Sequence, residues 1–221
     1  MVKTLHLTYS KKSKKNIRKV IGLALIFVIL STFVASFLYL TLPFWPEIKY
    51  RISKSEITEL DVEVSDETAE KLGIKKTKNY KEAQILDSNL LIIPKIGVKA
   101  KILEHSDLSI LDVEEGVWRE PFTNTPEDEG GNTVIAGHRF QYLPPNTSTF
   151  YHLDKLKSGD KILVIWDKKE YIYEVQDIFE VEPSDTYIRD NSGESLLTLY
   201  TCTPLGSEAR RLVVRAKLLN N

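Results

Sequence analysis

The sequence predicts a mainly β domain, an antiparallel barrel or sandwich with few and short helices, preceded by one membrane-spanning helix. Three observations predict it. Val20 to Leu42 runs without a single charge, short β-rich runs separated by turn residues recur from Asn89 onward, and helical patterning is confined to brief stretches. With 221 residues, 42% of them hydrophobic and 28% charged, the chain can bury one good core but is short for two domains plus a span.

At a rise of about 1.5 Å per residue, a helix over 20–42 reaches across the ~30 Å hydrocarbon core of a bilayer. Residues 1–19 form a basic tail before it, with six basic residues between Lys11 and Lys19. The positive-inside rule then puts the N-terminus in the cytoplasm and everything after Pro46 outside, with Tyr39, Phe44 and Trp45 at the far interface. A cleaved signal peptide is the rival reading, but the apolar run exceeds the usual ~7 to 15 residues and no small-residue cleavage site follows. No second apolar run precedes Asn221, so one span is expected. Residues 1–46 carry seven basic residues and no acid, which against a net charge of −1 leaves −8 on the remainder. That balance argues against a nucleic-acid partner, whose phosphates demand a basic face.

Residues 43–88 are charged and read as an extracytoplasmic stalk, with a helical stretch near Glu67 to Leu72 stopped by Gly73. From 89 to 221 the domain proper is expected. Its candidate strands are Leu90 to Ile93, Ala100 to Leu103, Thr133 to Ala136, Lys161 to Trp166, Tyr171 to Val175, Ile178 to Val181, Leu196 to Thr201 and Leu212 to Ala216. Asp167 to Lys169 marks a hairpin, Pro94 an edge or a break, and short helices are expected near Ser109 to Glu114 and Thr149 to Leu156. The connections 119–132 and 139–149 are long and rich in proline and glycine, as functional loops often are.

Cys202 is the only cysteine, so no disulfide can form within the chain. Free cysteines often serve as small buried hydrophobes. This one stands where the run Ser195 to Thr201 gives way to the turn-rich Thr203-Pro-Leu-Gly206, so a substrate can reach it. If the runs on either side of that loop pair as a hairpin, Arg211 falls beside Cys202, where a guanidinium favours the thiolate and can donate to an oxyanion. Arg210 is its rival, and since strand neighbours face opposite ways only one of the two can point at the thiol. His138 ends the run Asn132 to Gly137, with Gly137 leaving room for close approach, and an imidazole suits acid and base work near neutral pH. His152, in a helical turn, reads as packing; His105 is the weaker alternative. One cysteine with scattered histidines cannot supply a zinc site.

Three segments, Asn132-Thr-Val-Ile-Ala-Gly-His-Arg139, Thr198-Leu-Tyr-Thr-Cys-Thr-Pro204 and Arg211-Leu-Val-Val-Arg215, resemble the sortase family, and Leu91 to Gly97 resembles the strand that opens its domain. The resemblance covers roughly Leu90 to Leu218 and implies an eight-stranded sortase-type β-barrel. It implies that His138, Cys202 and Arg211 are catalytic, that Thr201 helps shape the substrate groove, and that no cofactor is required. The implied reaction is transpeptidation of an L-P-x-T-G-like sorting signal through a thioacyl enzyme. The implied partners are proteins carrying that signal and an amine acceptor, either a peptidoglycan precursor or a pilin lysine. Thr203-Pro-Leu-Gly206 resembles the pilus-assembling class, yet the second span common there is missing, and Glu120-Pro-Phe122 comes after the opening strands, unlike that class's lid motif. Some relatives bind calcium with loop acids; Glu127-Asp-Glu129 reads here as a solvated run, so no metal site is expected. The alternative of a different class is a non-catalytic extracytoplasmic β-domain that binds a wall component or a protein partner.

Overall fold

The computed structural model describes residues 11–41, 48, 59–60, 64–76, 88–141 and 147–219. Two compact units result, Met1–Ile48 and Lys49–Asn221. The first contains helix α1 (Lys11–Thr41), whose segment Lys19–Thr41 is long and apolar enough to cross a membrane. The expected span 20–42 falls on it except for Leu42, which lies outside the described residues.

The second unit opens with strand β1 (Glu59–Leu60), helix α2 (Asp66–Leu72) and strand β2 (Lys75–Lys76), the two strands pairing in parallel. The helix expected over 67–72 is thus present. Ser65 caps its start by accepting the Thr68 N–H at 3.1 Å, and Gly73 ends it in the left-handed conformation that glycine adopts freely. This piece of the expected stalk is folded onto the barrel: Val64, Ala69 and Ile74 pack against Leu90, Ile92, Leu163, Ile165 and Ile172. Glu170 accepts from the Ser65 backbone N–H at 2.8 Å and from its hydroxyl at 2.7 Å.

The remaining strands are β3 (Leu90–Ile93), β4 (Val98–Glu104), β5 (Val117–Arg119), β6 (Asn132–Ala136), β7 (Lys161–Trp166), β8 (Lys169–Val181), β9 (Leu196–Thr203) and β10 (Arg210–Leu218). They close into an eight-stranded barrel in the order β10-β8-β7-β3-β4-β5-β6-β9, with β9 pairing back to β10. The barrel is not wholly antiparallel, as the strand pattern alone suggests: β4–β5 and β6–β9 run parallel. Each parallel pair needs a long crossover, and those crossovers carry the loops of the site.

Pro94 ends β3 by starting a 3-10 turn, Pro94–Ile96. The expected hairpin at 167–169 is a two-residue turn with Asp167 and Lys168 both at positive φ, matching the right-handed strand twist. Two expected runs, 171–175 and 178–181, are one strand, because β8 carries a bulge at Gln176 that bends it around the barrel without ending it. Three strands were not expected: the short β1 and β2 ahead of the barrel, and β5 within it. Only three residues long, β5 is seated by Gly116, where a Cβ would fall 2.8 Å from the Lys101 carbonyl oxygen.

Side chains alternate between two faces along each strand. One set, including Leu91, Ile135, Val164, Tyr173, Leu197, Leu199, Leu212 and Val214, fills the barrel interior. The other set on β6, β9 and β10, Val134, Ala136, Tyr200 and Val213, forms an outer apolar cluster with Leu111, Trp118, Val181 and Ile188.

Candidate active site

Cys202 continues the alternation of Tyr200 onto that outer face and is half-buried. Opposite it across the antiparallel β9–β10 pair lies Arg211, in direct register, while Arg210 is paired with Thr203. The Arg211 guanidinium donates to the Glu208 and Arg210 carbonyls at 3.0 and 3.2 Å, and its charge reaches Tyr200 on the Cys202 face. Arg210 turns away: its Nε lies 3.7 and 3.6 Å from the Glu180 and Glu182 carboxylates.

His138 arrives from the parallel strand. The β6–β9 register pairs Ala136 with Tyr200, and the Gly137 N–H donates to the Tyr200 carbonyl at 3.2 Å. One residue further along each strand stand Thr201 and Gly137, and two further stand Cys202 and His138. The imidazole Nε2 lies 3.5 Å from Asp112 Oδ1, on the crossover whose Leu111 packs into the outer cluster. Gly137 is required here because a Cβ would sit 2.9 Å from the Phe150 ring. The expected room for close approach is filled by that ring, and the Phe150 N–H donates to the His138 carbonyl at 2.8 Å.

The other histidines sit elsewhere. His105 Nδ1 is 3.3 Å from the Asp107 carbonyl on an exposed turn, and His152 packs edge-on against Tyr151 with ring centroids 4.8 Å apart. Thr201 does not present its side chain to the Cys202 face. It is 2% exposed and its hydroxyl donates to the Gly137 carbonyl at 2.7 Å, so any effect on a groove runs through the backbone beside His138.

One flank of this face is a polar network that sequence reasoning missed. Asn132, fully buried, donates from Nδ2 to the Ile188 and Asp190 carbonyls at 2.9 and 3.3 Å and accepts from Thr198 Oγ1 at 2.8 Å. The Arg189 Nε donates to Glu120 at 2.5 Å, and Tyr200 Oη donates to the same carboxylate at 3.5 Å. Together these hold the 182–195 connection against the face. Asn132 opens the resemblance segment as an ordinary strand-start polar residue, so nothing local in the sequence flagged its partners.

Burial first, then the Glu120 charge, pushes the Tyr200 phenol up to about 12. A raised pKa in the folded state means the neutral phenol contributes stability below the unfolded value of about 10, and this contribution is lost as pH rises through about 12. Over that window wild type should lose up to about 2–3 kcal/mol more than Tyr200→Phe, at about 1.4 kcal/mol for each pH unit that separates the two values. Denaturant melts of both proteins between pH 9 and 12 measure it; parallel curves would refute it.

Of the acids at 127–129, Glu127 pairs with Lys169 at 2.6 Å and Asp128 accepts from the Thr125 N–H at 2.7 Å. No group of three or more His, Cys, Asp or Glu able to hold a metal occurs among the described residues.

A closed eight-stranded barrel with a thiol at a strand end, an arginine in register across the hairpin and a histidine at the end of a parallel strand defines a class. The chain belongs to the sortase family: residues 91–219 match the Sortase domain model. It is similar to Sortase SrtE1 of Streptomyces coelicolor, 32% identical over 147 residues that cover 59% of this chain and 40% of that one. It is similar also to Sortase D of Bacillus subtilis, 31% identical over 134 residues covering 59% of this chain and 63% of the relative. The chain therefore spans about two fifths to under two thirds of these relatives' lengths. Among solved structures, Sortase A from Corynebacterium diphtheriae superposes with a TM-score of 0.55 at 28% identity, covering 61% of each chain. A Clostridium perfringens Sortase D5 transpeptidase gives 0.51 at 34% identity, covering 60% of this chain and 79% of that one.

Proposed function

We propose that this chain is a membrane-anchored cysteine transpeptidase, with α1 spanning the membrane and the barrel outside the cytoplasm, acting on an L-P-x-T-G-like sorting signal. The single observation that carries the reading is the register that sets Arg211 opposite Cys202 on the face that His138 reaches from the parallel neighbour. The Cys202 thiolate attacks the threonine carbonyl carbon, and the oxyanion accepts from the Arg211 guanidinium. Collapse breaks the threonine–glycine C–N bond, and the His138 imidazolium gives its proton to the leaving amine. An incoming amine then attacks the thioester and passes a proton to His138. The thiolate leaves and a new amide remains. The acceptor is an amine of a peptidoglycan precursor or a pilin lysine; Thr201 supports the site by holding Gly137 rather than by touching substrate.

Incubating the full chain in detergent with a small panel of sorting-signal peptides should give a thioacyl adduct on Cys202, seen as a mass increase that hydroxylamine removes. Cys202→Ala should give none. Added candidate amines should divert the acyl group into ligated peptide. Peptide binding without adduct or cleavage would indicate the non-catalytic reading, and cleavage that no amine diverts would indicate a hydrolase.

A further inference from the structure

The backbone ladder between β6 and β9 stops one residue short of His138 and Cys202, its last bond being the one from the Gly137 N–H to the Tyr200 carbonyl. Beyond it the two chains are joined by side chains. Thr201 Oγ1 donates to the Gly137 carbonyl at 2.7 Å on the near side of the His138–Cys202 pair. On the far side Arg139 Nη1 donates to Thr203 Oγ1 at 3.2 Å. Arg139 follows His138 and Thr203 follows Cys202, so the two rungs bracket that pair by one residue in each direction. The second arm of the same guanidinium, Nη2, donates to Asp154 Oδ1 at 2.9 Å, reaching the 3-10 turn Leu153–Lys155.

This arginine is no solvated surface charge. Its side chain is 10% exposed and Thr203 is 4% exposed; Arg139 Nε is buried with no hydrogen-bond partner among the described residues, so the two Nη arms carry the pairing. Burying a guanidinium is costly unless its donors are used, and the rigid fork of arginine serves two partners at fixed spacing where a lysine ammonium cannot. The Thr203 hydroxyl is itself held from the other side, 3.4 Å from Glu180 Oε1 on β8. The fork therefore ties the chain leaving His138 to the strand end carrying Cys202 at the point where the β ladder no longer does so.

We propose that Arg139 is a positioning residue that fixes the separation of His138 and Cys202 through Thr203 and Asp154; this rests on the transpeptidase reading above. It touches no substrate. Its loss relaxes the registry of imidazole and thiol, and misplacing a proton-transfer partner by about 1 Å can cost up to about a hundredfold.

The test uses the full chain in detergent and two readouts. Arg139→Lys and Thr203→Val should each lower kcat for sorting-peptide cleavage about tenfold or more, with KM changed less than about threefold. The double variant should be no worse than the poorer single one, since both remove one contact. The substrate-free readout is the rate of Cys202 alkylation by iodoacetamide between pH 6 and 10, where Arg139→Lys should follow the profile of His138→Ala rather than wild type. If His138→Ala moves that profile and Arg139→Lys keeps the wild-type one, the positioning role is overturned while the transpeptidase reading stands. If His138→Ala leaves the profile unchanged and no peptide is cleaved by wild type, both fall. A drop in melting temperature with kcat intact, or additive losses in the double variant, would assign Arg139 a structural role only.

Discussion

Arg211→Ala should lower kcat for peptide cleavage by about a hundredfold or more, the loss typical of removing a principal oxyanion donor, while Arg210→Ala stays within about threefold of wild type. The asymmetry follows from strand geometry. Arg211 stands directly across from Cys202 and shares its face, whereas Arg210 is a step out of phase and is taken up by Glu180 and Glu182. The carbonyls of Glu208 and Arg210 hold one end of the Arg211 guanidinium, which has five donors in all, so the others can be aimed from a fixed base. Arg211→Lys keeps the charge without the planar fork and should recover only part of the loss. Steady-state kinetics on a single sorting peptide separates these outcomes. An Arg210→Ala enzyme as damaged as Arg211→Ala would reverse the assignment.

The second large effect concerns stability. Asn132→Leu preserves volume but strips the Asp190 carbonyl and the Thr198 hydroxyl of their shared partner inside the protein and leaves the Ile188 carbonyl only the Arg215 Nη2 donor at 3.3 Å. Leaving buried polar groups unsatisfied costs about 1–3 kcal/mol each where no water replaces the partner, so a total near 3 kcal/mol is expected. For a domain of this size that is roughly 6–12 °C in melting temperature. Because these groups belong to the 182–195 connection or its flanking strand, amide exchange at 186–191 should accelerate beyond the global destabilisation. Calorimetry with hydrogen exchange decides it, and a variant melting within about 2 °C of wild type, equivalent to at most about 1 kcal/mol, would mean the network holds little.

The apolar helix, the strand runs and the positions of His138, Cys202 and Arg211 at strand ends were legible in the sequence because each rests on a local pattern: an unbroken apolar run, alternation, or a residue at the end of such a run. Register was legible only for the hairpin, where chain connectivity dictates that Arg211 meets Cys202. The parallel β6–β9 pairing joins segments over 60 residues apart, and nothing local encodes it. Strand β5 was missed because three residues between Gly116 and Pro121 carry no periodicity. The expected runs 171–175 and 178–181 stop at the polar pair Gln176-Asp177, where the strand carries a bulge at Gln176 and continues. Thr201 drew notice for its place beside the cysteine, but alternation sends its side chain to the opposite face. Arg139 and Asn132 were passed over because their importance lies in partners distant in sequence.

The docking of α2 changes what counts as the folding unit. Residues 64–76 cover Leu90, Ile92, Leu163, Ile165 and Ile172, so a fragment trimmed to the boundaries of the family match would leave that greasy flank of the barrel bare to water. Such a fragment invites clumping through that flank whatever the state of its thiol. In this protein the leader of the barrel is also its lining on one side, and the packed unit takes in Val64, Ala69 and Ile74 as well as the strands.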